Sequence, residues 1–387
     1  MENLYLIYPA MLLLFGTLVS ALASKLEISN AFFLYFTGMI LGAFGLVNFP
    51  TETIIGISSL AVVFVVFEST VKLKFKDINK FTKYSLNIVV VSFILHICTI
   101  TPLVYFMFPI SDDPFISFIL SLVFSSIVYG IDHDITLTKK LKKNHKLVKI
   151  LEVESLINRI LTIVIPLLLL KYITALITTS VLPGFEVFLF FKQVLFGIII
   201  GVVIGFFVLI VLNTKIVEEI AYLIVITSSI VTFSITEFFG LNGVLSLTFF
   251  SLIFGNYHVK HKKQLEKITF LFGHIFNIFV FILIGTKMLI SFDYFFFGTL
   301  LFLVYIFVRF VSVFISLKTK KFSFKEIILV SFNVPKGIDV AIIILLMMTQ
   351  YNYINGIENI VNLCLLFSLY SITLSNVLGL FSKNLTS

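Results

Sequence analysis

Long apolar runs constrain this chain more than anything else in it. The stretch "VLFGIIIGVVIGFFVLIVL" (194–212) holds no charged or strongly polar residue over the length of a bilayer crossing, and similar blocks recur from end to end. A crossing helix takes about 20 apolar residues. In hydrocarbon every backbone N–H and C=O needs a partner within the protein, which leaves only helices and closed barrels. Barrel strands alternate apolar and polar residues over about 10 positions, and these blocks are continuous. The charged fraction is 12%, with a mean hydropathy of +1.12, whereas a soluble domain is about one quarter charged. The expected class is an all-α polytopic membrane protein.

Blocks and breaks predict about thirteen transmembrane helices, at 4–22, 29–48, 52–71, 85–108, 114–138, 149–172, 184–212, 216–235, 239–256, 266–289, 294–316, 325–348 and 358–381. The division at Phe239-Gly240 is the weakest break. The first block has neither a basic leader nor a small-residue cleavage pattern, so it reads as a retained span rather than a signal peptide. Most of the 28 basic residues fall in alternate links. These include Lys72 to Lys83, Lys139 to Lys149, Lys260 to Lys267 and Lys318 to Lys325, while "SDDP", "TTSVLPG", "SFDY" and "TQYNYINGIEN" carry none. The positive-inside rule then places the N-terminus outside and the C-terminus inside, in a multi-pass protein of the cell membrane. It also accounts for the net charge of +8 without a nucleic-acid partner.

The whole chain, 1–387, reads as a single transmembrane domain. Two blocks carry matching irregularities: "YGIDHD" (129–134) in the fifth span and "NVPKGIDV" (333–340) in the twelfth. Each sets a glycine and charges inside an apolar run. Paired interruptions point to a transporter site formed by two broken helices, within inverted repeats over 1–172 and 216–381 linked by 184–212.

Ionisable groups cost about 2.5–3.5 kcal/mol each at mid-membrane on insertion scales, so each needs a reason. Asp132 follows Gly130 in the first break. Half-desolvated there, it could hold either a proton or a small hard cation such as Na⁺. His133 adjoins it and titrates near neutral pH in its unperturbed state. Glu154 and Asn158 stack on one helix face, with Ser155 and Arg159 on the next. Arg309 stands alone in the eleventh span, and charge balance makes Glu154 its expected partner. Lys336 either pairs with Asp339, three residues on, or offsets the dipole of a broken half-helix. His96 and His274, in apolar spans, read as hydrogen-bonded core residues. Cys98 and Cys364 read as small hydrophobes. No motif of a nucleophile, resident metal or cofactor is found, so the chain reads as no enzyme.

Several segments, in this order, resemble the NhaP-type monovalent cation:proton antiporters. "GIDHDITL" stands where that family has "TDP", and "ESLINR" stands for "ESxxND". "GLNGVLS" is similar to "GLSGVLA", "IFVFILIG" to "LFxLIG", and "PKGIDVA" to "RGxVxxA". The resemblance implies Na⁺/H⁺ exchange by alternating access in a homodimer, with no cofactor. It implies Asp132, Ser155 and Asn158 as ion- and proton-binding residues, and a Glu154–Arg309 bridge. Three departures stand out. Arg159 replaces the aspartate of "ND", His133 replaces the proline of "TDP", and Asp339 falls where the family has an apolar or small residue. Either Asp339 compensates, by pairing with Arg159 or by supplying the lost carboxylate, or Arg159 acts as a displaceable internal cation. An altered or anionic substrate using Arg159 and Lys336, and a non-transporting sensor, are the alternatives.

Overall fold

The computed structural model describes residues 4–26, 28–45, 49–73, 80–108, 110–132, 146–178, 185–212, 220–257, 262–287, 294–318 and 322–385. Among them are fourteen helices. In chain order these are α1 (Leu4–Lys25), α2 (Asn30–Ala43), α3 (Thr51–Val71), α4 (Lys80–Met107), α5 (Pro114–Tyr129), α6 (Lys146–Thr178) and α7 (Phe185–Leu212). They continue with α8 (Ala221–Phe238), α9 (Gly243–Asn256), α10 (Lys262–Thr286), α11 (Phe295–Leu317), α12 (Phe324–Phe332), α13 (Ile338–Thr349) and α14 (Ile357–Leu385). Each apolar block of the sequence is one helix, except that the twelfth is two. Eight helices are long and apolar enough to cross a membrane (α3, α4, α6, α7, α8, α10, α11 and α14), and five more are apolar but shorter.

The break at Phe239-Gly240 is present and has a local cause. Gly240 sits at φ +67, a left-handed conformation that costs glycine nothing. Asn242 then caps α9, its Oδ1 accepting from the Leu245 amide at 2.8 Å. The fifth span ends earlier than its hydrophobicity suggests, because the backbone turns extended at Gly130 (φ −56, ψ 128). The remainder of that block, with His133, lies outside the described residues. The twelfth block opens at Asn333–Gly337, around Pro335, which has no N–H to continue a helix.

The helices assemble into two bundles. In the core bundle α4, α5, α6 and α11–α14 pack on one another; in the scaffold bundle α1–α3 and α7–α10 do so. The bundles meet chiefly where α3 and α10 lie against α13 and where α3 lies against α6. Among helices as apolar as lipid, association depends on close backbone approach, for which small residues are needed. Gly197, Gly201 and Gly205 form such a stripe on α7: a Cβ at Gly197 or Gly201 would overlap the Asn242 or Ser246 backbone at α9. The opposite face of α7 is exposed, with Ile199 at 44%, Val203 at 60% and Ile210 at 68%, as suits a lipid-facing helix.

Candidate functional site

The two broken segments cross in the core bundle, and each supplies what the other's backbone lacks. The amide of Asp132 donates to the Pro335 carbonyl at 2.9 Å. The carbonyls left open at the end of α5 face Lys336, whose Nζ donates to Gly130 O at 2.9 Å, to Val128 O, and to the Tyr305 hydroxyl at 2.8 Å. A cation at a helix C-terminus and an anion at a helix N-terminus both oppose the macrodipole. Lys336 fills the first role for α5. Asp339, in the first turn of α13, fills the second. Lys336 thus donates to the end of α5 and to Tyr305, not to Asp339 three residues on.

Asp132 is held by Arg159. The Nη2 group of Arg159, on α6, donates to Oδ1 at 2.6 Å and to Oδ2 at 2.8 Å, with the two side chains only 20% and 19% exposed. Charge-assisted contacts of this length are the strong kind. Asp339 is in a different position. It is fully buried, and neither carboxylate oxygen meets a hydrogen-bond partner, although the Val340 amide lies close by. Gly337 marks where the two acids converge. The position its Cβ would occupy is 2.6 Å from both Asp132 Oδ2 and Asp339 Oδ1, so the carboxylates face one another across the space of a single methyl group. Arg159 interacts electrostatically with both, and with Glu68 on α3.

A second charge network lies deeper in the core. Arg309 Nη2 bridges Glu154 Oε1 at 2.5 Å, both residues fully buried, as charge balance predicted. Its Nη1 donates to Ser92 Oγ at 3.0 Å, and Ser92 meets Ser312 at 2.7 Å. His96, buried, has Nδ1 2.7 Å from the Ser92 carbonyl, in keeping with a core role. The Asn158 Oδ1 accepts from the Tyr129 hydroxyl at 2.6 Å, and the Ser155 hydroxyl turns back to the Glu152 carbonyl at 3.3 Å. Asp132 and Arg159 are thus brought together at the crossing, while Ser155 and Asn158 turn to other partners.

A cavity of about 250 Å³ reaches this crossing between the bundles. Asp132, Arg159, Lys336 and Gly337 line its core side, and Glu68, His274 and Asn277 its scaffold side. The last three were not singled out by sequence as site residues, and His274 had read as core. Glu68 is paired to Lys72 one turn on, at 2.6 Å, a spacing indistinguishable in sequence from a solvated helix end. Among the described residues no cluster of three or more His, Cys, Asp or Glu could hold a metal ion.

Comparison with known proteins decides the family. The model of the family "Sodium/hydrogen exchanger, transmembrane" matches residues 10–380. The chain belongs to that family. It is therefore a monovalent cation:proton antiporter, a multi-pass membrane transporter and not an enzyme. Among the solved structures that share its fold are two of one antiporter. One is of the sodium proton antiporter MjNhaP1 from Methanocaldococcus jannaschii at pH 8, with a TM-score of 0.77, 19% identity, and coverage of 100% of this chain and 98% of that one. The other, an electron-microscopy map of MjNhaP1, gives a TM-score of 0.74 at 18% identity, covering 99% and 97%. No curated protein matches.

Proposed function

We propose that this antiporter exchanges a proton for a monovalent cation, sodium foremost, at Asp339, with Asp132 neutralised by Arg159. The observation that carries this reading is the bare carboxylate of Asp339, buried without a hydrogen-bond partner directly behind two residues of the cavity wall, Asp132 and Gly337. An unpaired carboxylate out of water binds a proton or a hard cation in preference to remaining bare. Occupancy by one excludes the other, and that exclusion is the exchange. One cation replaces one proton, so the charge of the site is the same in both loaded forms. The Asp132–Arg159 bridge stands between cavity and Asp339, and the guanidinium must shift for an ion to pass.

The thirteen-span topology, with the N-terminus outside, directs the cavity to the cytoplasm, the side of the lysine-rich links. The inverted repeats 1–172 and 216–381 follow the bundle pattern. In each half the first three spans pack into the scaffold and the last three into the core, with α7 between. Alternating access is then movement of the core along the scaffold. A homodimer through the scaffold completes this scheme. An anionic substrate is disfavoured, because both cations on the cavity wall are engaged: Arg159 by Asp132, Lys336 by α5.

Proteoliposomes carrying an internal pH dye test the reading. Sodium or lithium pulses should release protons with the native chain and with no response to chloride alone. Asp339→Asn should abolish the signal, and Arg159→Leu should change the sodium concentration giving half-maximal rate. Sodium-driven proton movement that survives Asp339→Asn would overturn the assignment.

A further inference from the structure

A second cavity, of about 270 Å³, opens along the same bundle boundary at the other end of the molecule. Helix α6 relates the two. Arg159 lines the first cavity, Leu167 and Lys171 the second, and Ile163, fully buried, lies between them on the same face, since residues four apart stack on a helix. Helix α13 repeats the arrangement with Ile338 in the first cavity, Leu346 in the second and Ile342, fully buried, between. On α3 the step is a single turn, from Val65 to Val62. The cavities are therefore two approaches to one apolar barrier. The α6 stripe carries a cation at each end, about 18 Å apart at 1.5 Å per residue.

The far cation sits in a nest of scaffold oxygens. Lys171 Nζ donates to Glu237 Oε1 at 2.7 Å, to Oε2 at 2.8 Å and to the Leu241 carbonyl at 2.7 Å. The nest does not depend on the lysine. Glu237 Oε1 also accepts from the Gly243 amide at 2.8 Å, and Leu241 is fixed in the turn formed by Gly240 and the Asn242 cap. All of these belong to α8, α9 and their connection, on the scaffold, whereas Lys171 belongs to the core. Three oxygens converging on one ammonium also provide what a small hard cation selects.

We propose that the Glu237–Leu241 nest is a monovalent-cation site at the far mouth of the pathway. Lys171 occupies it as a tethered cation that latches core to scaffold while the first cavity is open. When the core moves, the ammonium withdraws and an ion from that side takes its place, so cation binding there favours opening. The inference rests on the two-bundle movement of the proposed exchange, but not on which carboxylate exchanges.

Cysteine labelling tests it without measuring flux. Val62, 1% exposed, lines the closed end of the far cavity. In full-length protein with Cys98→Ser and Cys364→Ser, Val62→Cys is reacted with a membrane-impermeant maleimide as sodium replaces choline at constant ionic strength. Labelling should be slow in choline and accelerate several-fold, saturably, with sodium. Adding Lys171→Met should make it fast at every sodium concentration, Lys171→Arg should leave it slow, and Glu237→Gln should make it fast and insensitive to sodium. Monodisperse elution and a single cooperative melting transition establish that each variant folds, and Glu237→Gln serves as a second route if Lys171→Met does not. Labelling that is indifferent to sodium, or equal in the Lys171→Met and parent backgrounds, overturns the proposal. Protein that labels as expected yet moves no protons refutes the exchange reading and leaves the latch standing.

Discussion

Glu154→Gln keeps the shape of a buried side chain and removes only its charge, which makes it a measurement of what holds the core bundle together. Arg309 is left fully buried with its contact to Ser92 at 3.0 Å and no opposing charge at the 2.5 Å position. Two magnitudes compete. If the bridge acts as an ordinary interhelical hydrogen bond in a membrane protein, its loss costs about 0.6 kcal/mol on average and at most about 1.7. If it acts as a buried ion pair, breaking it costs about 3–5 kcal/mol, because an uncompensated charge remains. Zero exposure of both partners favours the second, and we expect about 3 kcal/mol, the low end, since the glutamine carbonyl can still accept from Nη2. Replacing the whole pair, as Glu154→Leu with Arg309→Met, removes both desolvation costs and should lose far less than the two single variants together. Unfolding of the purified protein in mixed micelles of rising SDS fraction gives both quantities. A single-variant cost below about 1.7 kcal/mol, or a double variant that costs the sum of the singles, would refute the buried-charge account.

Three further outcomes follow from close contacts. Gly337→Ala places a methyl between Asp132 and Asp339, 2.6 Å from an oxygen of each, so proton-coupled flux should fall at least tenfold while the protein still elutes as a single species. Lys336→Met strips the ammonium from the Val128 and Gly130 carbonyls. An orphaned buried acceptor costs about 1–3 kcal/mol, and the SDS midpoint should drop accordingly. Gly201→Ala drives a Cβ into the Ser246 backbone, an overpacking cost of about 1–3 kcal/mol, and should lower that midpoint without changing the sodium concentration for half-maximal exchange.

Helix existence was legible because hydrocarbon length and charge-free composition leave one solution, and both interruptions were legible because glycine and charge cannot sit idle in an apolar block. The Glu154–Arg309 bridge followed from charge balance alone: a lone arginine in an apolar span demands an acid. Other parts of the site were hidden for identifiable reasons. Glu68 and Lys72 look like a helix end in water, since sequence spacing does not reveal that the first faces a cavity. His274 and Asn277 lie on one turn of α10, and only the packing of that helix on α2, α3 and α13 turns them to the site. Lys171 and Glu237 stand near the ends of distant spans, where charged residues are ordinary. Their meeting requires the core–scaffold contact, which no local pattern encodes. Asp339 was visible, but its lack of a partner was not, because sequence offered Lys336 three residues away and the broken helix turns that lysine toward α5.

The departures from the antiporter motif then form one rearrangement. Where the family has an aspartate in "ND", α6 carries Arg159. Where it has a small or apolar residue on the twelfth span, α13 carries Asp339. Both groups reach the same crossing, so in the proposed scheme the exchanging carboxylate has been moved from α6 to α13, and the arginine balances the Asp132 charge that remains. This account has a test that loss-of-function variants lack. Asp339→Ala alone should abolish sodium-driven proton movement. Adding Arg159→Asp to it restores the family's carboxylate on α6 beside an unchanged Asp132, and exchange should return, to at least a tenth of the native rate. Arg159→Asp with Asp339 intact gathers three carboxylates around Gly337 with no guanidinium. The Asp132 charge that Arg159 balanced is then unopposed, and the sodium concentration giving half-maximal rate should differ from that of the native chain. A folded Arg159→Asp/Asp339→Ala protein without exchange would show that the two positions are not interchangeable and that Asp339 serves the crossing in another way.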